Sequence, residues 1–245
     1  MASRRGVKHE LGTPEGKRLY NERHFSEAAS RYDIGTKLLS LGLDSYWKRT
    51  LVSALPLLAE PICIDLACGT GDIAFLLAKK YPQGQILGLD ITPRMLEVAN
   101  KRNSFKNVKF EQQDIGDLKV KKGTADIITA SYAIRNAPDL AETLRQIHNI
   151  LKPGGTAAFL DFAKPVNRCL QVMQYWLLRF WGSLWGIILH GDPQIHGYIS
   201  DSLPAYLDTR ALGKLLEQTG FQVVKRRRFL LGMMEMIVLT KFGGS

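Results

Sequence analysis

The sequence has little cysteine and no long uninterrupted apolar segment. Its three cysteines, Cys63, Cys68 and Cys169, form no spaced pattern, which argues against a zinc site and favours a reducing compartment. The first ten residues, MASRRGVKHE, carry basic side chains but no apolar stretch of the kind that a secretory signal needs. These absences predict a cytoplasmic protein that binds no metal.

Basic side chains outnumber acidic ones. The 245 residues include 33 Lys and Arg against 23 Asp and Glu, which gives a net charge of +10. This surplus favours contact with anionic surfaces, either acidic lipid or nucleic acid, although many soluble proteins are equally basic. With 45% hydrophobic residues, the chain has room for one well-buried domain. We expect a polar leader over residues 1–30, disordered at its beginning, and a single domain over residues 31–245.

Strands and helices alternate along this domain. Helical turns are expected between residues 29 and 55, before the first strand. A helix capped by Asp208 or Thr209 and ended by Gly220 leads into a final antiparallel hairpin. The alternation predicts an α/β fold with a mostly parallel sheet and helices on both faces. Apolar runs predict strands at 62–66, 85–89, 108–114, 125–131 and 156–162, with helices at 73–80, 93–103 and 140–151.

The stretch IDLACGTGD, residues 64–72, joins the first strand to the next helix. In a parallel sheet such a turn lies at the carboxyl edge, where ligands bind. A phosphate-binding P-loop is excluded, because Gly71 is followed by Asp72 rather than by a lysine. A dinucleotide fingerprint could use Gly69, Gly71 and Ala74, but Asp72 at the helix N-terminus would repel a pyrophosphate. The turn therefore suits an uncharged or cationic part of a ligand.

Acidic residues recur at the same edge of the predicted sheet. Asp65 precedes the glycine turn, Asp90 closes the second strand and Asp114 closes the third. An acid at the end of the second strand accepts hydrogen bonds from ribose hydroxyls. An acid at the end of the third strand can accept a hydrogen bond from the adenine amino group. Any one of these acids alone is better explained by capping or turn chemistry. Together they predict a site for a phosphate-free, positively charged nucleoside, which describes S-adenosylmethionine.

Four stretches resemble the ubiquinone/menaquinone biosynthesis C-methyltransferase family, within the class I S-adenosylmethionine-dependent methyltransferases. They are YDIGTKLLSLGLDSYWKR, DLACGTGD, SYAIRN and LKPGGTAAFLDFAKP, and the similarity runs from about residue 32 to about residue 242. The resemblance implies a Rossmann-like, seven-stranded sheet with an N-terminal helical cap and an inserted apolar helical segment. It also implies methylation of a lipophilic quinol or phenol, with S-adenosyl-L-homocysteine as the second product.

The sequence departs from the family pattern at several positions. Gly35-Thr36 stands where the family usually has Met-Asn, and Asp44 stands where it has His. Asp161 and Ala163 stand where it has Glu and Ser. These departures leave the identity of the acceptor ring open.

Two lines of inference give the expected donor contacts. The residues themselves indicate Asp65, Gly69 and Gly71, the two glycines because a bare backbone permits close approach of a ligand. Tyr32 is a further candidate at the methionine end of the donor. The resemblance implies contacts from Thr70, Asp90, Asp114, Ile115 and Ser131, and the residues themselves also indicate Asp90 and Asp114. Ile91, next to Asp90, is a further candidate.

Methyl transfer to an aromatic carbon needs a neighbouring phenol to lose its proton, so the site needs a base or a cation that stabilises a phenolate. Arg135 follows the fourth strand and, because a guanidinium stays protonated, we expect it to stabilise a phenolate rather than to act as a base. Asn136 could orient a hydroxyl or a water. A lone histidine more often serves a surface or capping role. The candidate bases are Tyr132, His190, His196, Tyr198 and Asp161.

Residues 167–205 form the expected substrate cap. Polar side chains interrupt its apolar run, so a membrane-spanning helix is not expected. A core-facing helix explains part of the apolar stripe, and the rest favours a wall for a prenyl tail or contact with a bilayer. The stripe lies within residues 168–190 at helical spacing and comprises Leu170, Met173, Leu177, Phe180, Trp181, Leu184 and Ile188.

Three functions are compatible with these patterns. The first is a C-methyltransferase for a lipophilic quinol or phenol, as in menaquinone or ubiquinone biosynthesis. The second is a methyltransferase for another hydrophobic small molecule, such as a sterol-like or polyketide ring. The third is a weakly catalytic donor-binding subunit of a membrane-associated complex, which the intact GTGD, Asp90 and Arg135 disfavour. No nucleic-acid partner is expected, because an apolar cap suits lipid better than bases. Peripheral contact with an anionic membrane and pairing into a homodimer stay open.

Overall fold

The computed structural model describes residues 13–28, 32–193 and 199–242. Within these residues, seven strands form one sheet in the order β3-β2-β1-β4-β5-β7-β6. The strands are β1 (Ile62–Leu66), β2 (Gln85–Asp90), β3 (Val108–Gln112), β4 (Ala125–Ser131), β5 (Leu151–Phe162), β6 (Phe221–Phe229) and β7 (Met234–Lys241). The helices used below are α1 (Pro14–Ala28), α2 (Tyr32–Leu39), α3 (Asp44–Ser53), α4 (Asp72–Lys80), α5 (Pro93–Arg102), α6 (Leu140–Ile150), α7 (Arg168–His190) and α8 (Thr209–Gln218).

Parallel pairing brings the ends of several strands to one edge of the sheet. β1 pairs in parallel with β2 and β4, and β3 and β5 extend the parallel part on either side. β7 lies between β5 and β6 and runs antiparallel to both. The carboxyl ends of β1, β2 and β4, at Leu66, Asp90 and Ser131, therefore lie at the same edge.

Successive side chains of the central strands face opposite sides of the sheet, as a pleated strand requires. Ile64 and Ile128 belong to an apolar cluster with side chains of α6 and α8. Cys63 and Ile127 belong to a second cluster with side chains of α3 and α4. Each such buried side chain contributes about 1.5–3 kcal/mol relative to an exposed one. The central strands are thus held by both helical layers, as their continuous apolar runs predict.

The predicted α/β sheet is confirmed, with two corrections at strand ends. β5 begins at Leu151 rather than at residue 156, because Leu151 pairs with Ala125 before an irregularity, after which Thr156 pairs with Ile127. The Lys-Pro-Gly-Gly segment lies inside this strand, and Gly154 has a φ of +72°, which a glycine adopts without strain. β3 ends at Gln112, so that Asp114 follows the strand rather than closing it.

A helix in the polar leader was not anticipated by the sequence pattern. Residues 14–28 form α1, which packs against α5. Residues 1–12, where disorder was expected, lie outside the described residues. Large apolar side chains are few and irregularly spaced in PEGKRLYNERHFSEA, so periodicity could not reveal this helix.

The apolar stripe of α7 faces outward. A core-facing placement is wrong for six of its seven predicted members, Leu170, Met173, Leu177, Phe180, Leu184 and Ile188, which are all exposed. The helix turns its polar Gln174 inward instead, where Nε2 donates to the carbonyl of Ala163 at 2.8 Å. Among the described residues, we find no helix with the length and hydropathy needed to cross a membrane.

Candidate active site

A small cavity of about 70 Å³ opens at the carboxyl edge of the sheet. β1, β2 and β4 each deliver side chains or backbone to it, and α1 covers it. Seven of the ten expected donor residues line this cavity, namely Tyr32, Gly69, Asp90, Ile91, Asp114, Ile115 and Ser131. Tyr132 and Asn136 line it as well. The structure therefore brings together most of the residues that the sequence indicated.

Asp90 organises the glycine turn. Its Oδ2 accepts a hydrogen bond from the backbone N–H of Gly69 at 2.8 Å, and its Oδ1 accepts one from the N–H of Thr92 at 2.8 Å. Burial raises the pKa of this carboxyl, and the two N–H donors oppose that effect. Each carboxylate oxygen can accept a further hydrogen bond, so Asp90 can hold the turn and a ligand hydroxyl together.

Gly71 shapes the turn without lining the cavity. Its φ is +90°, and a Cβ there would lie 2.8 Å from the ring of Phe75. Thr70 is likewise buried beside the cavity, where its hydroxyl donates to Asp33 at 2.7 Å. Asp65, the third expected donor residue that does not line the cavity, is buried under the turn. These three residues belong to the turn or lie beside it without lining the cavity, and sequence spacing alone does not separate such residues from those that line it.

Asp65 is a buried acid near the end of β1. Its Oδ1 accepts a hydrogen bond from the Thr129 hydroxyl at 2.7 Å. Burial raises the pKa of Asp65 to about 7, against the opposing effects of that hydrogen bond and of the more distant Lys48. Asp65 is therefore largely protonated in the folded chain below neutral pH and ionised in the unfolded chain above about pH 4.

Replacing Asp65 by Asn is expected to flatten the pH dependence of stability. Because the folded-state pKa is raised, the wild type binds a proton that the unfolded chain has lost, and its stability falls as the pH rises through about 7. Between pH 5 and pH 7 this loss is about 2 kcal/mol, and the amide has no proton to lose. Urea unfolding of both proteins across this range measures the difference. The exposed acid Asp117, changed to Asn, is the control, and parallel curves for wild type and Asp65→Asn would contradict the assignment.

Asp72, at the start of α4, does not present an isolated negative charge. Lys48 Nζ lies 3.0 Å from its Oδ2, and Arg102 Nη2 lies 2.7 Å from its Oδ1. Burial alone would raise the pKa of Asp72, but these two cations lower it on balance. The predicted repulsion of a phosphate by Asp72 is therefore weakened. Asp90 and Asp114, which line the cavity, are the carboxylates that would repel the phosphates of a dinucleotide.

The adenine end of the expected donor site meets α1. Asp114 Oδ1 accepts from the N–H of Gly116 at 2.8 Å, and its Oδ2 lies 4.0 Å from Arg18 Nε. Arg18 and Phe25 of α1 line the cavity together with Met95 of α5. Sequence reasoning missed all three, and no motif links them to the glycine turn, since only the packing of α1 against α5 brings them there.

The expected catalytic residues separate into two groups. Tyr132 and Asn136 line the cavity, and Asn136 Nδ2 donates to the backbone carbonyl of Tyr132 at 3.2 Å. Arg135 is buried behind them and does not line the cavity. His190 ends α7. His196 and Tyr198 lie outside the described residues.

Arg135 is part of a buried polar cluster. Its Nε lies 3.4 Å from Asp161 Oδ1, its backbone N–H donates to Asp161 Oδ2 at 3.0 Å, and its Nη1 donates to Ser202 Oγ. Burial raises the pKa of Asp161, while Arg135 lowers it. Asp161, a predicted base, is thus occupied by Arg135 and by the N–H of Phe162 at 2.8 Å.

The chemistry of the cavity fits an adenosine-type ligand. Two carboxylates, Asp90 and Asp114, lie among apolar Ile91, Met95 and Ile115. Carboxylates accept hydrogen bonds from hydroxyl and amino groups, and apolar side chains can cover the faces of a base. Groups of acids, histidines and cysteines able to hold a metal ion do not occur within the described part of the chain.

Comparisons with known proteins agree with this chemistry. The pattern of the ubiE/COQ5 methyltransferase family matches residues 15–241. The ubiquinone/menaquinone biosynthesis C-methyltransferase UbiE of Desulfotalea psychrophila is 31% identical over 211 residues, 86% of each chain. The 2-phytyl-1,4-naphtoquinone methyltransferase of Thermosynechococcus vestitus is 33% identical, covering 89% of this chain and 97% of the relative.

Solved structures share the fold. An S-adenosylmethionine-dependent methyltransferase from Mesorhizobium loti superposes with a TM-score of 0.61 at 18% identity, over 81% of this chain and all of that one. The predicted class I methyltransferase fold is confirmed. Since the family pattern covers nearly the whole chain, and relatives above 30% identity match along more than four fifths of their length, this chain is a methyltransferase and belongs to the ubiE/COQ5 methyltransferase family.

Proposed function

We propose that the chain methylates a ring carbon of a lipophilic quinol, using S-adenosylmethionine and releasing S-adenosyl-L-homocysteine. The observation that carries the proposal is a cavity with two carboxylates, at the carboxyl edge of the sheet, that continues to Tyr132 and Asn136. Family membership implies S-adenosylmethionine as the methyl donor. The relatives compared above are named for ubiquinone, menaquinone and phytyl-naphthoquinone, which supports a quinol acceptor.

Residues around the cavity would hold the donor in one orientation. Asp90 would accept from the ribose hydroxyls and Asp114 from the adenine amino group, with Ile91 and Ile115 against the base. Tyr32 and Ser131 would lie toward the methionine end. When bound, S-adenosylmethionine supplies a methyl group on a sulfonium, so the protein's part is to align the acceptor and exclude water.

The covered cavity has to enlarge before a nucleoside can enter. Sites for ligands of this size have volumes of about 300–1,000 Å³, against about 70 Å³ here. Arg18 and Phe25 are the lining residues on α1, and Arg18 lies next to the proposed adenine partner Asp114. Outward movement of α1 would open the site without disturbing the strands that carry the carboxylates.

Product analysis with labelled donor tests the function. The purified protein is incubated with methyl-labelled S-adenosylmethionine and with demethylmenaquinol or a demethylated ubiquinol precursor, and the extracted lipid is analysed by mass spectrometry. We expect one added methyl on a ring carbon of the reduced quinol and none on the oxidised quinone, because the quinone has no hydroxyl to ionise. Donor binding without a methylated quinol would contradict this acceptor and favour another hydrophobic ring.

We propose that the exposed face of α7 binds the surface of an anionic bilayer. Trp176 and Phe180 are 64% and 70% exposed, and the other five outward members of the stripe are exposed on the same helix. Leu231, in the turn between β6 and β7, is fully exposed. This turn lies at the end of β5, since Met234 pairs with Phe162. The net charge of +10 complements acidic lipid, and an amphipathic helix with aromatic residues suits the interface between headgroups and acyl chains.

A vesicle-binding measurement tests this face. We expect the protein to float with vesicles containing phosphatidylglycerol, and Leu177→Ser/Phe180→Ser to lower the partition coefficient at least about tenfold, because each inserted apolar side chain contributes on the order of 1.5 kcal/mol or more. The control is Leu57→Ser, which removes a 90% exposed leucine before β1, at the opposite edge of the sheet. Equal partitioning of the two variants would contradict the proposal.

A further inference from the structure

A row of buried ionic and polar side chains leads away from the cavity at Tyr132. The hydroxyl of Tyr132 donates to Asp44 Oδ1 at 2.6 Å. Lys48 Nζ lies 2.8 Å from Asp44 Oδ2 and 3.0 Å from Asp72 Oδ2. Asp44 and Lys48 are only 4% and 6% exposed. Tyr132, which lines the cavity, is therefore joined by one short hydrogen bond to a carboxylate with its own counter-ion.

The backbone holds Tyr132 in this position despite a strained conformation. Its φ is +58°, in the left-handed region that costs a residue with a side chain about 1 kcal/mol or more. Its N–H donates to the Leu160 carbonyl at 2.7 Å, and the Lys48 ammonium lies 5.8 Å from the centre of its ring. A strained residue at a cavity with such defined partners indicates a functional constraint.

Burial and neighbouring charges determine the protonation states of Lys48 and Tyr132. Burial alone would lower the pKa of Lys48, but Asp44 and Asp72 raise it on balance, so the ammonium keeps its charge. Burial raises the pKa of Tyr132 well above its usual value, and Asp44 raises it further. Tyr132 is therefore a neutral hydroxyl that gives its hydrogen to Asp44 and keeps lone pairs able to accept another.

We propose that Tyr132 and Asp44 form a proton relay that removes the hydroxyl proton of the acceptor ring, with Lys48 as a positioning residue. The inference rests on the proposed function, since it needs an acceptor hydroxyl at the cavity. The acceptor O–H bond breaks as its proton passes to Tyr132 Oη, and the proton of Tyr132 passes to Asp44 Oδ1. The ring becomes a phenolate, whose neighbouring carbon is the nucleophile.

The later steps use the methyl donor as co-reactant and return every group to its starting state. The ring carbon gains a bond to the methyl group as the methyl–sulfur bond breaks, and that carbon then loses its hydrogen to water as a proton. The methylated phenolate takes back the proton held on Asp44 through Tyr132. One proton is released to water per turnover, and both residues return to their initial state.

The other acids around the site are less suited to this task. Both oxygens of Asp90 accept backbone N–H groups, and Asp114 lies at the proposed adenine end beside Arg18. Asp161 is turned to Arg135 and does not line the cavity. Asp44 is reached from the cavity through a hydroxyl, so it can take a proton without contacting the ligand.

The test compares acceptors of different acidity. The full-length wild type, Asp44→Asn and Tyr132→Phe are assayed with 2-prenyl-1,4-naphthalenediol and with halogenated forms whose hydroxyls ionise more readily. The control is Tyr46→Phe, which makes the same change on α3 at a half-exposed tyrosine whose hydroxyl accepts from Arg227 at 2.9 Å. Calorimetric binding of S-adenosyl-L-homocysteine and the midpoint of thermal unfolding are measured for each protein.

A relay predicts a defect that depends on the acceptor. With the unsubstituted diol, both relay variants should lose about 100-fold or more in kcat, the usual contribution of general base catalysis. With the most acidic acceptor, which ionises without help, the loss should shrink to a few-fold, while binding of S-adenosyl-L-homocysteine and the control variant stay at wild-type level.

Three results would overturn the relay. A loss of the same size with every acceptor would assign Asp44 and Tyr132 a purely structural role, and no loss would remove them from the reaction. A wild type that methylates none of the diols would refute the quinol acceptor, and the relay with it. If Asp44→Asn does not fold, Tyr132→Phe decides alone, because it deletes one oxygen and leaves the Asp44–Lys48 ion pair in place.

Discussion

Replacing Arg135 by alanine is expected to lower the free energy of unfolding by about 3–5 kcal/mol, the usual cost of removing one partner of a buried ion pair. The variant leaves Asp161 buried without the guanidinium at 3.4 Å. The backbone N–H groups of Arg135 and Phe162 would still reach Asp161, but they carry no full charge.

The loss should depend on pH in a direction that identifies Asp161. Its pKa is already raised by burial, and removal of Arg135 raises it further. A raised folded-state pKa adds stability at pH values below the unfolded pKa and loses it as the pH rises through the folded value. The variant should therefore be most destabilised at neutral and higher pH, and less so at mildly acidic pH.

Denaturant unfolding of matched variants measures this effect. Arg145→Ala is the control, because it removes an exposed arginine paired with Glu142 at 2.8 Å, and such surface pairs contribute about 0–1 kcal/mol. Arg135→Ala/Asp161→Asn should recover part of the lost stability by removing the orphaned charge. A loss of unfolding free energy below about 1 kcal/mol in Arg135→Ala would show that the ion pair between Arg135 and Asp161 does not stabilise the fold. Loss of activity in Arg135→Ala is interpretable only beside these unfolding data.

Replacing Asp90 by asparagine is expected to weaken binding of S-adenosyl-L-homocysteine about 100-fold, which corresponds to about 2.7 kcal/mol. The amide presents an NH2 group where one carboxylate oxygen now accepts an N–H from Gly69 or Thr92. Two donors then face each other, the glycine turn shifts, and the negative acceptor for the ribose hydroxyls is lost. Hydrogen bonds to charged groups contribute about 1.5–3 kcal/mol each, which sets the size of the effect.

Isothermal calorimetry of the purified variants tests the role of Asp90. Glu111→Gln is the matched carboxylate-to-amide control, since Glu111 is exposed on the neighbouring strand β3. Unfolding midpoints separate loss of the fold from loss of the site. If Asp90→Asn binds the product within about threefold of wild type, Asp90 is not a donor ligand and serves the turn alone.

Local patterns predicted the strands and the donor edge well. β1 and β4 occupy the residues that their continuous apolar runs indicated, and Asp90 ends β2 as expected. The glycine turn and the two acids share an edge because parallel strands put their carboxyl ends together. These features depend only on residues that are close in sequence and on the rule that parallel strands share their carboxyl edge. They can therefore be predicted from one sequence.

Features that depend on distant partners could not be predicted. Arg135 was expected at the reacting ring, but its side chain contacts Asp161 on β5 and Ser202, and it does not line the cavity. Helical spacing in α7 predicted a stripe but not its direction, which Gln174 helps to fix through its bond to Ala163. Arg18 reaches the cavity only because α1 packs against α5. In each case the partner that fixes the side chain lies in another part of the chain. The spacing of apolar residues within one helix or strand cannot predict such a contact.

The position of β7 has a consequence for how this chain is made. β7 lies inside the sheet between β5 and β6, yet residues 234–241 leave the ribosome after both of these neighbours. Until then, β5 has an open hydrogen-bonding edge, and the core lacks the fully buried Met234, Met236 and Leu239. An unpaired strand edge beside exposed apolar surface promotes association between chains. A stop codon before residue 234 would therefore yield nascent chains prone to aggregate, even though every residue proposed to contact the donor had already been synthesised.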